Sequence, residues 1–409
     1  MDNIKVLYVT GLGPLSGGGG NKRVYEILKR VRKFKINYIP VVEKKNYASA
    51  ISSFPDLKEI LKELNCYAIN LRPSNKFSFT FYLNLFKVSS DIAKIVNNEK
   101  VDIIISAHES FDLINIVRAA SHFTSTPWSA ILQLTPILGT VIGTVNGPLD
   151  AIRKSAAKGG LIKTIARYFK LLLLTRSLRE TLPLSVSFSI PYELSFFDQN
   201  LNIKVLDPPV GVDETIYNVK ASNIDFDAIF FARLHPLKGL FDVPFIWKEV
   251  IKEKPKAKLL IAGSWQNKQY ICEFRELCRK LGVINNIIYA GFLPKDVLYS
   301  YVKSVKTIVY PSYLDAFPLT VLESLACGVP VVCYNINPIR FSFKTRAVIK
   351  VNVGNKVEFA KNVLTILEDS EYQKKLSLEA LSFSSRYNWD FAAKEEFNSI
   401  SHILEHWSV

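Results

Sequence analysis

The stretch Pro311-Ser-Tyr-Leu-Asp315-Ala-Phe-Pro318-Leu-Thr-Val-Leu-Glu323-Ser-Leu-Ala-Cys-Gly328-Val-Pro330 follows one β-branched run, Thr307–Pro311, and leads into another, Pro330–Tyr334. Pro318 suits the first turn of a helix, where its missing N–H costs nothing. Gly328 suits the position just past that helix, which favours a left-handed backbone. The whole reads as strand, loop, helix, strand, the unit from which parallel sheets are built. Three features of it carry chemistry. The backbone N–H groups of Leu319 and Thr320 open toward an anion at the helix start. Asp315 lies on the loop just ahead. Glu323 sits about one and a half turns inside the helix amid apolar neighbours, where a carboxylate wants hydroxyl donors; its two oxygens match the paired hydroxyls of a ribose.

The same alternation runs through most of the chain. Strand candidates are Ile4–Thr10, Ile36–Val42, Cys66–Leu71, Val101–Ala107, Trp128–Leu134 and Leu184–Ile190. A second series follows at Asp227–Ala232, Lys258–Gly263, Asn286–Gly291, Thr307–Pro311, Pro330–Tyr334 and Ala347–Val351. Segments with helical spacing lie between them, among them Val24–Arg32, Asp296–Val305 and Val357–Leu367. Strand and helix repeated in this way predict an α/β fold with helices on both faces of parallel sheets. Twelve strands exceed one such sheet, and the pattern restarts near residue 225. We therefore expect two doubly wound, Rossmann-like domains, residues 1–205 and 206–385, facing across a cleft. The hinge is expected at Leu206–Ile224, which holds Pro208, Pro209 and Gly211. A terminal segment, 386–409, is helical by pattern, with Phe391, Phe397, Ile400 and Leu404 on one stripe. Ligands of such sheets bind beyond the carboxyl ends of the strands.

Composition agrees with this reading and narrows it. The 409 residues are 48% hydrophobic and 22% charged, which excludes wholesale disorder. Lys and Arg number 52 against 37 Asp and Glu, a net charge of +15 that points to an anionic partner without naming it. The five cysteines are scattered and form no C-x-x-C pair, so a disulfide framework or zinc site is not expected and a reducing, cytoplasmic setting is. The start does not read as a signal peptide, and no run of 18 apolar residues predicts a spanning helix.

Further candidates sit where strands end. Gly17-Gly18-Gly19-Gly20 follows Ile4–Thr10 and precedes a helix expected at about Asn21; glycines there let backbone N–H groups approach an anion or a sugar closely. The run matches neither a dinucleotide fingerprint nor a P-loop, although Glu43, at the end of the second strand, stands where a dinucleotide-binding acid would. A turn without a ligand stays open. His108 falls just past Val101–Ala107; His108-Glu109 lacks the second histidine of a metalloprotease, and a structural histidine is the alternative. Arg233-Leu-His-Pro-Leu-Lys238-Gly239 follows Asp227–Ala232, and two fixed cations there suit a diphosphate with no metal. The alternative is a solvated loop.

Taken together, Arg233, Lys238-Gly239, Gly263 and Gly291 after successive strands, Pro311-Ser312 and Asp315-x7-Glu323 resemble the retaining glycosyltransferases of family 4, of GT-B fold. The resemblance spans the chain. The glycine loop, His108 and Pro209-Val-Gly211-Val-Asp213 fall in that family's order. Asn388-Trp389-Asp390 resembles the start of its closing helix, which packs back on the first domain. The resemblance implies that Arg233 and Lys238 neutralise a donor diphosphate and that Glu323 binds the ribose. It implies that Asp315, in the place of the family's first glutamate, contacts the donor sugar, and that His108 lies near the reacting centre. Gly18, Gly19, Gly263, Gly291, Phe317, Leu319 and Thr320 complete the expected donor site. Asp315 is one methylene shorter than the usual glutamate, and Ala316 and Pro318 replace glycines common in this loop, so the chain departs from that family's pattern where the sugar is expected. The expected activity is transfer of a hexose from a UDP- or GDP-linked donor to a hydroxyl of a glycan or lipid-linked glycan, without metal or other cofactor. A catalytically silent binding subunit of a glycan-assembly complex and a sugar-nucleotide epimerase are the alternatives.

The positive charge is concentrated. Ala151–Leu182 holds Arg153, Lys154, Lys158, Lys163, Arg167, Lys170, Arg176 and Arg179 with Glu180 its only acid. At helical spacing Leu161, Ile162, Ile165, Tyr168, Phe169, Leu172 and Leu173 share one face, and Lys163, Arg167 and Lys170 the other. Two readings stay open: a helix lying on an anionic membrane surface, or an amphipathic helix packed on the first sheet. The preceding loop, Thr135–Asn146, is apolar enough to face a lipid-linked acceptor. Nucleic acid is not expected, since no aromatic-interleaved basic stripe is present.

Overall fold

The structure, a computed structural model, describes residues 4–13, 19–34, 36–54, 56–71, 79–135 and 161–407. The described residues before Val212, with those after Tyr387, form one compact unit; Val212–Tyr387 forms a second.

The first unit is built on strands β1 (Ile4–Thr10), β2 (Ile36–Glu43), β3 (Tyr67–Ile69), β4 (Ile103–Ser106), β5 (Trp128–Leu132), β6 (Leu184–Ser185) and β7 (Lys204–Val205). They pair in parallel in the order β3-β2-β1-β4-β5-β6-β7. Consecutive β1 residues point to opposite faces, and both faces are covered. Val6 and Tyr8 enter a core with Val24 and Ile27 of helix Gly19–Arg30 and Phe397 and Ile400 of helix Trp389–Glu405. Leu7 and Val9 enter another with Ile92, Ile114, Val117, Leu174 and Leu178. Strands buried on both sides read as continuous apolar runs, and β1 matches its expected span for this reason.

The last helix packs back on the first unit, as the resemblance implies. The Asn388 side chain caps it by accepting the Asp390 N–H at 2.6 Å. Its buried residues include Ala393, Phe397, Ile400 and Ile403, whereas Phe391, expected on that stripe, is exposed. Arg23 pairs with Glu396 at 2.7 Å, both fully buried; Arg23 also donates to the Pro209 carbonyl (2.8 Å), and Tyr38 OH donates to Glu396 (2.9 Å).

The second unit holds β8 (Ala228–Phe231), β9 (Leu259–Ala262), β10 (Ile287–Gly291), β11 (Thr307–Tyr310), β12 (Val331–Tyr334) and β13 (Val348–Val351), parallel in the order β10-β9-β8-β11-β12-β13. All six fall within their expected spans.

Three local expectations need correction. The strand expected over Leu184–Ile190 stops at Ser185. There Ser185 Oγ bonds the Ser187 carbonyl at 2.8 Å and Ser187 Oγ accepts the Ser189 N–H at 3.3 Å, turning the chain into helix Ser189–Ser195. Helix Gly19–Arg30 begins two residues before Asn21, so Gly19 and Gly20 belong to its first turn; Gly17 and Gly18 lie outside the described residues. Pro318 is the cap of helix Leu319–Ala326 and not in its first turn, because its backbone is extended (ψ 97°).

Candidate functional site

In the second sheet the first strand, β8, lies beside the fourth, β11. The chain leaves β8 toward one edge and β11 toward the other, so the loops after them diverge and open a crevice at the carboxyl ends, the switch point of a doubly wound sheet. Arg233 and Lys238 follow β8, and Asp315, Pro318 and Glu323 follow β11. The sequence-predicted residues are thus gathered by topology at one place in this unit.

The two loops are fastened to each other. Gly239 has φ +73°, and a β-carbon on it would collide with the Pro311 carbonyl oxygen, so glycine is required for the β8 loop to lie flush on the end of β11. Tyr313 N–H donates to the Leu237 carbonyl at 2.9 Å. Gly263 plays the same part for β9, since a β-carbon there would strike the Ala232 carbonyl oxygen; its N–H donates to the Gly291 carbonyl at 2.8 Å, joining β9 to β10.

The two cations prove unequal. Lys238 Nζ forms an ion pair with Asp315 and donates to the Leu314 carbonyl at 3.1 Å. Asp315 also accepts from Tyr310 OH (2.6 Å) and Ser312 Oγ (2.9 Å). Burial, and then the Asp315 charge, push the Tyr310 phenol well above its ordinary pKa, which keeps it a donor. Lys238 and Asp315 are each 13% exposed. Arg233 is exposed and has no ionic partner among the described residues. An incoming polyanion would meet Arg233 unpaired and Lys238 already shared with Asp315.

Helix Leu319–Ala326 starts beside them. The Pro318 carbonyl accepts the N–H groups of Val321 (3.1 Å) and Leu322 (3.2 Å), leaving Leu319 and Thr320 at the two positions whose N–H groups have no intrahelical acceptor. The Phe317 ring packs on Phe343 and Tyr387, at 5.1 and 5.8 Å between centroids, and anchors the loop. Glu323 is half-buried. Tyr299, on helix Lys295–Val302, stands beside it; burial first, then the Glu323 and Asp213 charges, raise the Tyr299 phenol far above its ordinary pKa. Tyr299 escaped the sequence reading because nothing local to it marks a partner on another helix.

The first sheet has its own switch point between β1 and β4. His108 follows β4, and its Nε2 lies 3.0 Å from Thr10 Oγ1 at the end of β1. Ser106 Oγ donates to the His108 carbonyl at 2.8 Å. Asn21 Oδ1, on the glycine-loop helix, accepts the Gly13 N–H at 3.2 Å, and Asn46 donates to the Gly11 carbonyl at 2.9 Å. Glu109 is raised by burial, against which the backbone N–H groups of Glu109, Gln133 and Leu134 act. Glu43 is buried and takes the N–H groups of Lys45 (3.3 Å) and Leu71 (2.9 Å), a backbone-capping role.

The basic segment is helical over Leu161–Leu178; residues 136–160, with Arg153, Lys154, Lys158 and most of the apolar loop, lie outside the described ones, as do the side chains of Lys163 and Arg167. The helix does pack on the first sheet, through Leu171, Leu174 and Leu178, and of the expected stripe Tyr168 packs on Phe197 at 5.9 Å between ring centroids. Ile165, Phe169 and Leu173, at four-residue spacing, are instead 47, 60 and 55% exposed. Among the described residues no helix is long and apolar enough to cross a membrane, and one group of metal-ligand types lies close together, the exposed His402, Glu405 and His406.

Residues 215–382 match the family model for glycosyl transferases group 1. An uncharacterized glycosyltransferase of Methanocaldococcus jannaschii is 30% identical over 179 residues, 43% of this chain and 45% of that protein. The O-antigen chain mannosyltransferase B of Escherichia coli is 25% identical over 113 residues, 28% of this chain and 29% of its own. The chain thus spans less than half the length of these curated relatives. Among solved structures, sucrose-phosphate synthase from Thermosynechococcus elongatus has a TM-score of 0.73 at 14% identity, covering 99% of this chain and 100% of that one. Anabaena HepE in complex with UDP and glucose has a TM-score of 0.69 at 16% identity, covering 98% and 100%. At such identity the likeness is one of fold: two Rossmann-like parallel-sheet domains, as in GT-B glycosyltransferases.

Proposed function

We propose that the protein is a retaining glycosyltransferase that moves a hexose from a nucleoside-diphosphate donor to a hydroxyl of a glycan or lipid-linked glycan. The observation that carries this reading is the gathering of Arg233, Lys238, Asp315, Glu323 and an open helix start at the β8–β11 switch point, inside the segment that matches the family model. Arg233 and the N–H groups of Leu319 and Thr320 take the diphosphate, with Lys238 completing the charge. Glu323, beside Tyr299, takes the ribose. Asp315 faces the donor sugar. In the reaction the bond from the anomeric carbon to the diphosphate breaks, the acceptor oxygen bonds that carbon on the same face, and the acceptor proton passes to the departing phosphate oxygen. Fixed cations and N–H dipoles stabilise the leaving charge, and no metal is required. The first unit takes the acceptor, with His108 the polar group at that unit's own switch point. The exposed Ile165-Phe169-Leu173 stripe on a basic helix supports a peripheral membrane seat for a lipid-linked acceptor.

Incubation with a panel of UDP- and GDP-hexoses in EDTA tests the reading. One donor should release its nucleotide, faster with acceptor present. Release from none would favour a silent binding subunit, and conversion of the donor's sugar without release would indicate an epimerase. Co-sedimentation with anionic vesicles, lost at high salt, tests the membrane seat; absence from the pellet at low salt would remove it.

A further inference from the structure

Gln133, just past β5, is buried and reaches three parts of the first unit's switch point. Its side-chain Nε2 donates to the Ala107 carbonyl at 2.6 Å and lies 3.4 Å from His108 Nδ1. Its backbone N–H donates to the Glu109 carboxylate at 3.1 Å, so both neighbours of His108 are tied to this one residue. Its Oε1 faces Gly20, where a β-carbon would lie 2.5 Å away. The short bond to Ala107 fixes which end of the amide carries hydrogens. The second of those hydrogens faces Nδ1, and an amide nitrogen does not accept, so Nδ1 bears a lone pair. The ring proton is then on Nε2 and points to Thr10 Oγ1, which also accepts the Leu12 N–H at 3.1 Å.

We propose that Gln133 is the positioning residue for His108, fixing its ring and tautomer, and that Gly20 is glycine because this amide occupies the space of its side chain. The glycine-loop helix, β5 and the histidine are thereby held in one register. No local signal marks Gln133 in the sequence, since it lies 25 residues from His108. The functional half of the proposal rests on the transferase reading; the tautomer half does not.

The test uses the full chain with 15N-labelled histidine, the His108 signals assigned by their loss in His108→Asn. Wild type should show a bare Nδ1 and a protonated Nε2. In Gln133→Glu an acceptor faces Nδ1, and that nitrogen should become protonated. In Gly20→Ala, a variant that does not touch His108, the displaced amide should shift the same two signals. Turnover of UDP-glucose, or of whichever UDP- or GDP-hexose the wild type uses, is measured in parallel. Gln133→Met should lower kcat roughly tenfold with KM within about twofold, the loss of one hydrogen bond near the reacting group. A protonated Nδ1 in wild type, or His108 signals indifferent to both Gln133→Glu and Gly20→Ala, overturns the proposal. So does unchanged kcat in a folded Gln133→Met protein. A wild type inert toward every donor would sink the transferase reading while the nitrogen signals still decided the geometry.

Discussion

Arg233 and Lys238 stand in the same short loop, yet the structure separates their consequences. Arg233 is exposed and unpaired among the described residues, so Arg233→Ala should leave stability within about 0.5 kcal/mol of wild type. Its loss should appear only when a diphosphate is present. A charge-assisted hydrogen bond contributes about 1.5–3 kcal/mol, and 1.36 kcal/mol is a factor of ten, so turnover should fall roughly ten- to hundred-fold. Lys238→Ala should lose a similar factor and also stability. It strips the cation from Asp315, which is mostly buried and keeps only Tyr310 and Ser312 as donors. A fully buried pair broken on one side costs about 3–5 kcal/mol; with two donors remaining and some solvent access, about 1–3 kcal/mol is expected. Urea melts and nucleotide release, measured on the same preparations, separate the two. Wild-type turnover in Arg233→Ala, or unchanged stability in Lys238→Ala, would refute this assignment of the loop.

Gly239→Ala should destabilise the second unit by several degrees in Tm, because a left-handed backbone and the Pro311 carbonyl both oppose a methyl there; an unchanged Tm would mean the loops are not fastened as described. Glu396→Ala leaves the Arg23 guanidinium buried with the Pro209 carbonyl and should cost about 3–5 kcal/mol, while Arg23→Met with Glu396→Leu should recover most of it; equal stability of single and double variants in urea would contradict a buried pair. Glu109 is raised by burial, so the folded state binds more protons than the unfolded one above pH 4, and its contribution to stability falls as pH rises through that window. Glu109→Gln should therefore flatten the difference in Tm between pH 4 and pH 7; an identical pH profile would rule the effect out.

The fold was legible where strands are buried on both faces. The expected Ile4–Thr10 strand coincides with β1, and the six strands of the second sheet lie inside their expected spans. The switch-point residues were legible too, because a strand end followed by a cation or a Pro-initiated helix is a local pattern. What escaped depends on partners far along the chain. The Lys238–Asp315 pair joins residues 77 apart, and Gln133 or Tyr299 become meaningful only beside His108 or Glu323. Alternating serines at Ser185, Ser187 and Ser189 mimic a half-buried strand until their hydroxyls bond the backbone. On the basic helix, apolar residues cover more than one face, so periodicity alone did not mark Leu171, Leu174 and Leu178 as core residues while Ile165, Phe169 and Leu173 stay exposed.

The central claim is that a nucleoside diphosphate binds beyond β8 and β11 through Arg233 and Glu323 without a metal. Titration calorimetry with UDP and with GDP in EDTA, on wild type, Arg233→Ala and Glu323→Gln, tests it most directly. The account predicts saturable binding of one of the two nucleotides to wild type, weakened roughly tenfold or more in each variant, since the first loses a cation and the second one of two acceptor oxygens. Binding that is absent for both nucleotides, that needs added magnesium or manganese, or that is equally tight in both variants would contradict it.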